Sequence, residues 1–365
     1  MNMYLPVVYD KGNYLIAKSF VVGNDTALMG SHIEKINGTK IDAYIKAHMT
    51  DRYYRFDAKR KKFYSEFFYD NLQTVERNQI ALSIQNPIGK TVDFALSTNK
   101  ELHFLVPNMD TTFGVKIYYW EDTRTLYIKL FVMEKSFIKR FKTGIDQYRS
   151  KNIDKIIIDL RNNGGGSDSV WESLYAYLLP EKFSYQVKID GYPPYFMPKS
   201  YLAQSDLDIK SIQKEKNSLL SGLGLYTYLY HTETIIPDDS SIRFRGKIIV
   251  LGENIYSSAG SAMSVPNAYP HDNIISVGRR SDVFLGVGYS PVVFHLPNSG
   301  IEYRISPSIE VTNIKTLNDI MQDHYEIEVP FSKGELENKN NYMGNSLGSY
   351  YLQHFDPFIK IALSL

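Results

Sequence analysis

Apolar and polar positions give the chain two textures. Up to about residue 108 the apolar residues come in short runs, YLPVVYD, NYLIAKSFVV and HIEKINGTKIDAYIKAHM. These runs predict strands joined by tight turns, with Asn37-Gly38 as the strongest turn signal. IALSIQNPIGKTVDFAL predicts a hairpin that closes this β-rich unit. Between them, Thr50 to Leu72 is rich in lysine, arginine and aromatics and is expected to form an inserted helix or two with a solvated face. Pro107-Asn108 is the expected linker.

From Thr112 the pattern becomes strand, helix, strand. LYIKLFVM predicts a strand, SFIKRFKTGIDQYRS has helical spacing, and DKIIIDL is a continuous apolar run of the kind buried on both faces of a parallel sheet. SDSVWESLYAYLLP predicts a helix, with Ser169 and Glu172 spaced for a capping box. Residues 181–245 are polar and aromatic with little periodicity and are expected to be an insertion or lid. GKIIVLG is a second buried strand, and SSAGSAMSVPNAY reads as a turn into a helix of small residues. Strands are expected around VVFHLPNSGIEYRI and a last amphipathic helix over DPFIKIAL. The expected division is 1–108 and 109–365, in agreement with the two domains that 365 residues suggest.

Composition narrows the chemistry. Forty-one basic against 40 acidic residues leave +1, too little for a nucleic-acid partner, whose binding replaces counterions with a basic surplus. Cysteine is absent, which removes disulfides, thiolate metal sites and a cysteine nucleophile together. No metal site or cofactor is expected, so covalent catalysis would fall to oxygen or lysine. No apolar run approaches the roughly 20 residues of a membrane span. The opening Met-Asn-Met-Tyr-Leu-Pro has neither the basic start nor the apolar stretch of a signal peptide.

The two buried strands each run into a turn of small residues and then a helix. If they are neighbours in a parallel sheet, the turns face each other at the strands' carboxyl ends, where ligands collect. The first turn is Asp159-Leu160-Arg161-Asn162-Asn163-Gly164-Gly165-Gly166. Its glycines let backbone N–H groups approach an oxyanion or a phosphate, although Gly-Lys-Ser/Thr, the sequel a phosphate loop requires, is missing. A plain strand-to-helix turn accounts for it too. The second turn is Tyr256-Ser257-Ser258-Ala259-Gly260-Ser261. A serine at this junction holds its hydroxyl at a helix N-terminus, as a nucleophile would, and equally as an N-cap would.

Taken together, IIIDLRNNGGG followed by GKIIVLGENIYSSAGSA resembles the S41 family of serine peptidases, the tail-specific or C-terminal processing proteases that include the tricorn core protease. GSHIEKINGTKIDAYIKAHM resembles the PDZ-like domain those proteins carry, and HLPNSGIEYRISPSIEV and HFDPFIKIAL resemble later core strands and the terminal helix. The resemblance implies a mixed α/β fold, a ClpP- and crotonase-like ββα core preceded by an N-terminal β-rich PDZ-like domain. It implies endoproteolysis of protein or peptide substrates, with Ser258 as nucleophile and the N–H groups of Ala259, Gly164 and Gly165 as oxyanion donors. Relatives of this type are usually bacterial and exported, so a periplasmic or cell-surface location is implied.

A serine hydroxyl needs a base. One branch of the family uses a lysine about two dozen residues after the serine, but SVGRRSDVFLGVGYSP has none, and the guanidinium groups of Arg279 and Arg280 stay protonated. That branch often has a glutamate three positions after the nucleophile, where this chain has Ser261. The tricorn-like branch uses a histidine just before the PDZ-like domain. Here that domain starts almost at residue 1, so an N-terminally shortened chain is expected. Internal candidates for the base are His103, His271 and Lys129, and for an orienting carboxylate Glu302 and Glu310. Each also reads as a structural residue: a surface or hydrogen-bonded histidine, a snorkelling lysine, a charge on a surface strand. Without a base only the oxyanion hole and substrate binding would remain, roughly a thousandfold over water. A base-less peptide-binding protein of the same fold is therefore the alternative. A crotonase-like acyl-transfer enzyme would share the core but leave the PDZ-like unit unexplained.

Overall fold

Short alternating runs in the N-terminal part pair as antiparallel strands. The structure, a computed structural model, describes residues 5, 7–48, 55–57, 60–64, 79–97, 103–104, 114–191, 226–279, 288–289, 292–306, 308–312, 325–332, 334–336, 338, 342 and 347–365. Two compact units emerge, one of residues 1–112 and 330–364, the other of 113–329 with Leu365. In the first, β1 (Val7–Asp10), β2 (Asn13–Ile16), β3 (Phe20–Val22), β4 (Asp25–Ala27), β5 (His32–Ile36) and β6 (Thr39–Lys40) lead into α1 (Ile41–His48). There follow β7 (Arg55–Asp57), β8 (Lys62–Tyr64), β9 (Gln79–Gln85), β10 (Thr91–Ser97) and β11 (His103–Phe104). The main sheet runs β1-β2-β5-β9-β10 with β6 on β5, and a second sheet runs β11-β3-β4. Asn37 and Gly38 both take positive φ, as the predicted two-residue hairpin turn requires.

Two expectations for this part are corrected. Within Thr50 to Leu72, the described residues form the β7–β8 hairpin rather than a helix. Turn chemistry decides it: the Asp57 carboxylate accepts the backbone N–H of Arg60 at 2.9 Å and Lys61 takes positive φ, while Tyr64 stacks on Tyr9 at 3.9 Å. The rest of that stretch, and the Pro107-Asn108 linker, lie outside the described residues. The boundary also differs, because residues 330–364 group with the N-terminal part and not with 109–329. Leu336 and Phe331 pack with Leu15, Met29 and Val8 in one apolar cluster.

In the second unit the continuous apolar runs become central strands. Its elements are β12 (Val115–Trp120), β13 (Thr125–Leu130), α2 (Phe137–Asp146), β14 (Lys155–Asp159), α3 (Asp168–Leu178), β15 (Phe183–Gly191), β16 (Tyr226–Ile235) and β17 (Lys247–Gly252). Next come α4 (Ser258–Ala262), α5 (Ser264–Ala268), β18 (Ile274–Gly278), β19 (Gly288–Tyr289), β20 (Val292–His295), β21 (Glu302–Ile305), β22 (Ser308–Glu310) and β23 (Ile327–Glu328). The central sheet runs β12-β13-β14-β17-β18-β23, antiparallel only between its first two strands. The predicted neighbours DKIIIDL and GKIIVLG are adjacent and parallel, with Asp159 opposite Leu251. On one face Leu126, Ile128, Ile156, Ile158, Ile248 and Val250 join Phe141, Ile145, Val170, Leu174 and Ala259 in a single core. The other face, by the period of two, carries Tyr127, Lys129 and Asp159. The fold is mixed α/β.

Helix α3 starts at Asp168 with Ser167 at the N-cap, so the expected Ser169–Glu172 capping box does not form. The backbone N–H of Ser167 is bonded to the Met133 carbonyl, which fixes the extended residue before the helix. The expected insertion is corrected in part: β15 and β16 pair antiparallel within a sheet of order β16-β15-β22-β19. Residues 192–225 lie outside the described residues. VVFHLPNSGIEYRI forms the β20–β21 hairpin, and α6 (Ser349–Phe355) and α7 (Pro357–Ser364) close the chain in the first unit. Asp356 caps α7 by accepting the N–H groups of Phe358 and Ile359. Among the described residues no helix is long and apolar enough to cross a membrane.

Phe141 is fully buried where α2 meets the sheet. Phe141→Ala should cost about 3–5 kcal/mol of unfolding free energy, measured by urea denaturation. A loss under about 1 kcal/mol would mean that this core does not hold the unit together.

Candidate active site

At the carboxyl end of β14 the chain places a carboxylate in the interior. Asp159 is 1% exposed and accepts five hydrogen bonds. Lys129 reaches its Oδ1 at 3.1 Å, and Arg161 donates to that oxygen from its backbone N–H and Nε at 3.0 Å each. Oδ2 accepts from the Tyr127 hydroxyl and from Arg161 Nη2, both at 2.7 Å. Burial alone would raise this carboxyl's pKa, but the charges of Arg161 and Lys129 and the hydrogen bonds of Arg161 and Tyr127 hold it well below the usual carboxylate range. Lys129 also donates to the Arg161 carbonyl. The turn that follows is thereby fixed to β13 and β14 at its first residue.

Asn163 fixes the rest of that turn. Fully buried, it donates from Nδ2 to the Leu130 carbonyl at 3.0 Å and accepts the Gly165 N–H on Oδ1 at 2.9 Å. Its main-chain carbonyl accepts the Tyr256 N–H at 3.0 Å. The two turns singled out in the sequence are therefore in contact. Gly165, at φ +91°, leaves no room for a side chain: a Cβ there would lie 2.6 Å from Ser257 Cβ and 2.7 Å from the Tyr256 carbonyl oxygen. Gly166, at φ +141°, is equally tight against the Met133 carbonyl, with which it forms a bridge.

Ser258 opens α4 at the end of β17 and is 4% exposed. Ser257 before it takes φ 51° and ψ −129°, a strained conformation for a side-chain-bearing residue. The Ser258 hydroxyl donates to the Gly166 carbonyl at 2.9 Å and has no histidine, lysine or carboxylate partner among the described residues. Of the expected oxyanion donors, Ala259 gives its N–H to the Tyr256 carbonyl at 3.1 Å and Gly165 gives its own to Asn163. The Gly164 N–H has no partner among the described residues. The arrangement brings a serine hydroxyl at a helix start next to a glycine turn.

The candidate bases fall elsewhere. Lys129 is neither a free base nor a snorkelling lysine; it is 5% exposed and committed to Asp159 and Arg161. His271 precedes β18 and pairs with Glu181 at 2.7 Å, beyond the C-terminal end of α3, whereas Ser258 and the glycine turn lie at the opposite, carboxyl end of the strands. It does not reach the site. His103 lies in β11 opposite Val21 of the first unit, and its side chain is outside the described residues. Glu302 is exposed in the β20–β21 hairpin, whereas Glu310 is buried on β22 and accepts from Ser264, in the helix directly after α4, at 3.1 Å. Of the two carboxylates, Glu310 is the one bonded to the helix that follows α4. Reasoning from sequence missed Asn163 and the role of Asp159; the only signal was polar residues directly after a buried strand.

Residues 124–312 match peptidase family S41. Among solved structures the whole chain superposes on mature CPAF complexed with lactacystin (TM-score 0.62, 14% identity, 100% of this chain and 84% of that one). A second structure of mature CPAF gives a TM-score of 0.61 at the same identity, over 100% of this chain and 83% of that one. The photosystem II D1 C-terminal processing protease is also similar (TM-score 0.41, 12% identity, 95% and 78% covered). No curated protein matches the sequence.

Because its folded-state pKa is depressed, Asp159 stabilises the fold above its ordinary pKa of about 3.9, and that contribution fades as pH falls toward the folded value. Asp159→Asn should cost about 3–5 kcal/mol at neutral pH by leaving Lys129 and Arg161 without their counter-charge. Urea unfolding of both proteins should show this gap narrowing as pH drops below about 4; a gap independent of pH would refute the assignment.

Proposed function

The chain belongs to peptidase family S41, a family of serine-type peptidases, and on that premise we propose that it is an endopeptidase of protein or peptide substrates with Ser258 as its nucleophile. The observation that carries this reading is the contact of the glycine turn with Tyr256, Ser257 and the backbone nitrogen of Ser258, within van der Waals distance of a Cβ at Gly165. A substrate carbonyl placed beside Gly164, where a Cβ would meet nothing within 4 Å, would present its carbon to Ser258 Oγ. Its oxygen, as it gains charge, would meet the Gly164 N–H and that of Ala259, released from its 3.1 Å bond to Tyr256. The hydroxyl must first leave the Gly166 carbonyl and pass its proton to a base. Glu310, whose carboxylate accepts from Ser264 in the helix directly after α4, is the carboxylate this reading assigns to orient the base.

In the N-terminal unit β10 ends the main sheet among the described strands, which suits capture of an extended peptide by strand addition and supports a PDZ-like role. An exported, periplasmic or cell-surface location in a bacterium completes the proposal, on the strength of the family resemblance.

One observation favours a second reading. A serine hydroxyl that donates to a backbone carbonyl is not activated, and a chain that keeps this arrangement would bind peptides without cleaving them. A fluorophosphonate probe distinguishes the two. The peptidase reading expects covalent labelling of the full chain that Ser258→Ala abolishes while the variant still unfolds cooperatively on heating. A folded chain that binds peptides and is never labelled would be the non-catalytic form.

A further inference from the structure

We propose that Asn163 is the positioning residue that sets the glycine turn against the nucleophile turn, so that Gly164 and not Gly165 presents its N–H to the reacting carbonyl. The inference rests on the reading of Ser258 as nucleophile. Three chain segments converge on this one residue. Nδ2 holds the end of β13 through Leu130, Oδ1 holds the glycine turn through Gly165, and the backbone carbonyl holds the nucleophile turn through Tyr256. All three bonds lie between 2.9 and 3.0 Å, and the side chain is fully buried. Both halves of the carboxamide are used, the donor on one strand and the acceptor on the turn, so the residue must be a donor and an acceptor at the same time.

The consequence for chemistry is specific. With its N–H occupied by Asn163, Gly165 cannot serve the oxyanion without breaking a buried bond, while the preceding N–H, that of Gly164, is left for the substrate. Gly165 contributes shape instead, since its missing side chain allows the turns to touch. A shift of the turn by about 1 Å would misdirect Gly164, and misplacement of that size costs on the order of a hundredfold in reactivity.

The dual donor-acceptor requirement supplies a test that ordinary destabilisation would not mimic. A protonated carboxyl has the shape of a carboxamide and both functions, whereas a carboxylate only accepts. At position 163 a carboxyl introduced by Asn163→Asp would be buried against the Leu130 carbonyl oxygen, so its pKa is raised and the working protonated form exists below that pKa. The probe is a peptidyl boronic acid titrated into the full-length chain. The serine oxygen adds to trigonal boron, giving a tetrahedral anion, and the serine proton passes to solvent. Wild type measured at each pH is the reference.

At about pH 7.5, Asn163→Ala and Asn163→Asp should each bind the boronic acid about 100-fold more weakly than wild type. At about pH 5, Asn163→Asp should regain most of the wild-type affinity while Asn163→Ala should not. Wild-type affinity in Asn163→Ala, or no recovery of Asn163→Asp in acid while wild type still binds, would overturn the positioning role and leave Ser258 as nucleophile. Absence of any adduct in wild type would instead remove the nucleophile reading, and this inference with it.

Discussion

One buried carboxylate, that of Asp159, organises the end of the central sheet from which the glycine turn leaves. Asp159 sits at the end of the central parallel sheet, where leaving one charge in the interior is expensive unless it is surrounded by donors. Lys129, Tyr127 and Arg161 provide them, and each donor also fixes a segment. Tyr127 and Lys129 tie the neighbouring strand to it. Arg161, folding back through both its backbone and its guanidinium, bends the chain out of the strand, so the direction in which the glycine turn leaves the sheet follows from where the charges pair.

From that anchor the geometry passes along the chain without a further charge. Asn163, two residues beyond Arg161, replaces ion pairing with three neutral hydrogen bonds and brings the glycine turn to the turn that carries Ser258. Directly after β18, Arg279 repeats the device, bonding Glu253 at 2.7 Å and, through its backbone, the Gly252 carbonyl at 3.1 Å, so the segment leading to Ser258 is also held. Two glycines then supply closeness. The contact of Gly165 with Ser257 needs a residue without Cβ and with positive φ, two demands that only glycine meets cheaply.

Much of this was legible in the order of residues because the physics there is local or strongly patterned. KIIID and KIIVLG are too apolar to face water on either side, which predicts central parallel strands, and they pair as such. Asn37-Gly38 can only be a tight turn of one kind. The strand β15 was missed although its alternation is present: Phe183, Tyr185, Val187 and Ile189 are buried and Ser184 and Gln186 exposed. Tyrosines and polar residues diluted the signal, and its partner β16 comes more than thirty residues later, a distance at which local pattern carries no information about pairing. The same limit hid Asn163, whose partners Leu130 and Tyr256 are remote in sequence. An isolated lysine on a strand does not announce its counter-ion, so Lys129 reads from sequence as a candidate base; the register that sets it opposite Asp159 decides its role.

The resting hydrogen bonds of the site follow one rule. Buried donors left without acceptors cost more than a bond gains, so the two turns satisfy their own groups where they can. Ser258 donates its O–H to the Gly166 carbonyl, Ala259 its N–H to the Tyr256 carbonyl, and Gly165 its N–H to Asn163 Oδ1. These bonds differ in how readily they can be exchanged for bonds to a substrate. The hydroxyl needs only a rotation about one bond. Releasing Ala259 breaks a bond already at 3.1 Å in the first turn of a short helix. Releasing Gly165 means withdrawing the side chain that also holds Leu130, and so loosening the turn itself. On the proposed reading, a carbonyl approaching beside Gly164 would exchange the first two bonds and leave the third in place, so the bonds of Asn163 set the shape of the turn while those of Ser258 and Ala259 are the exchangeable ones.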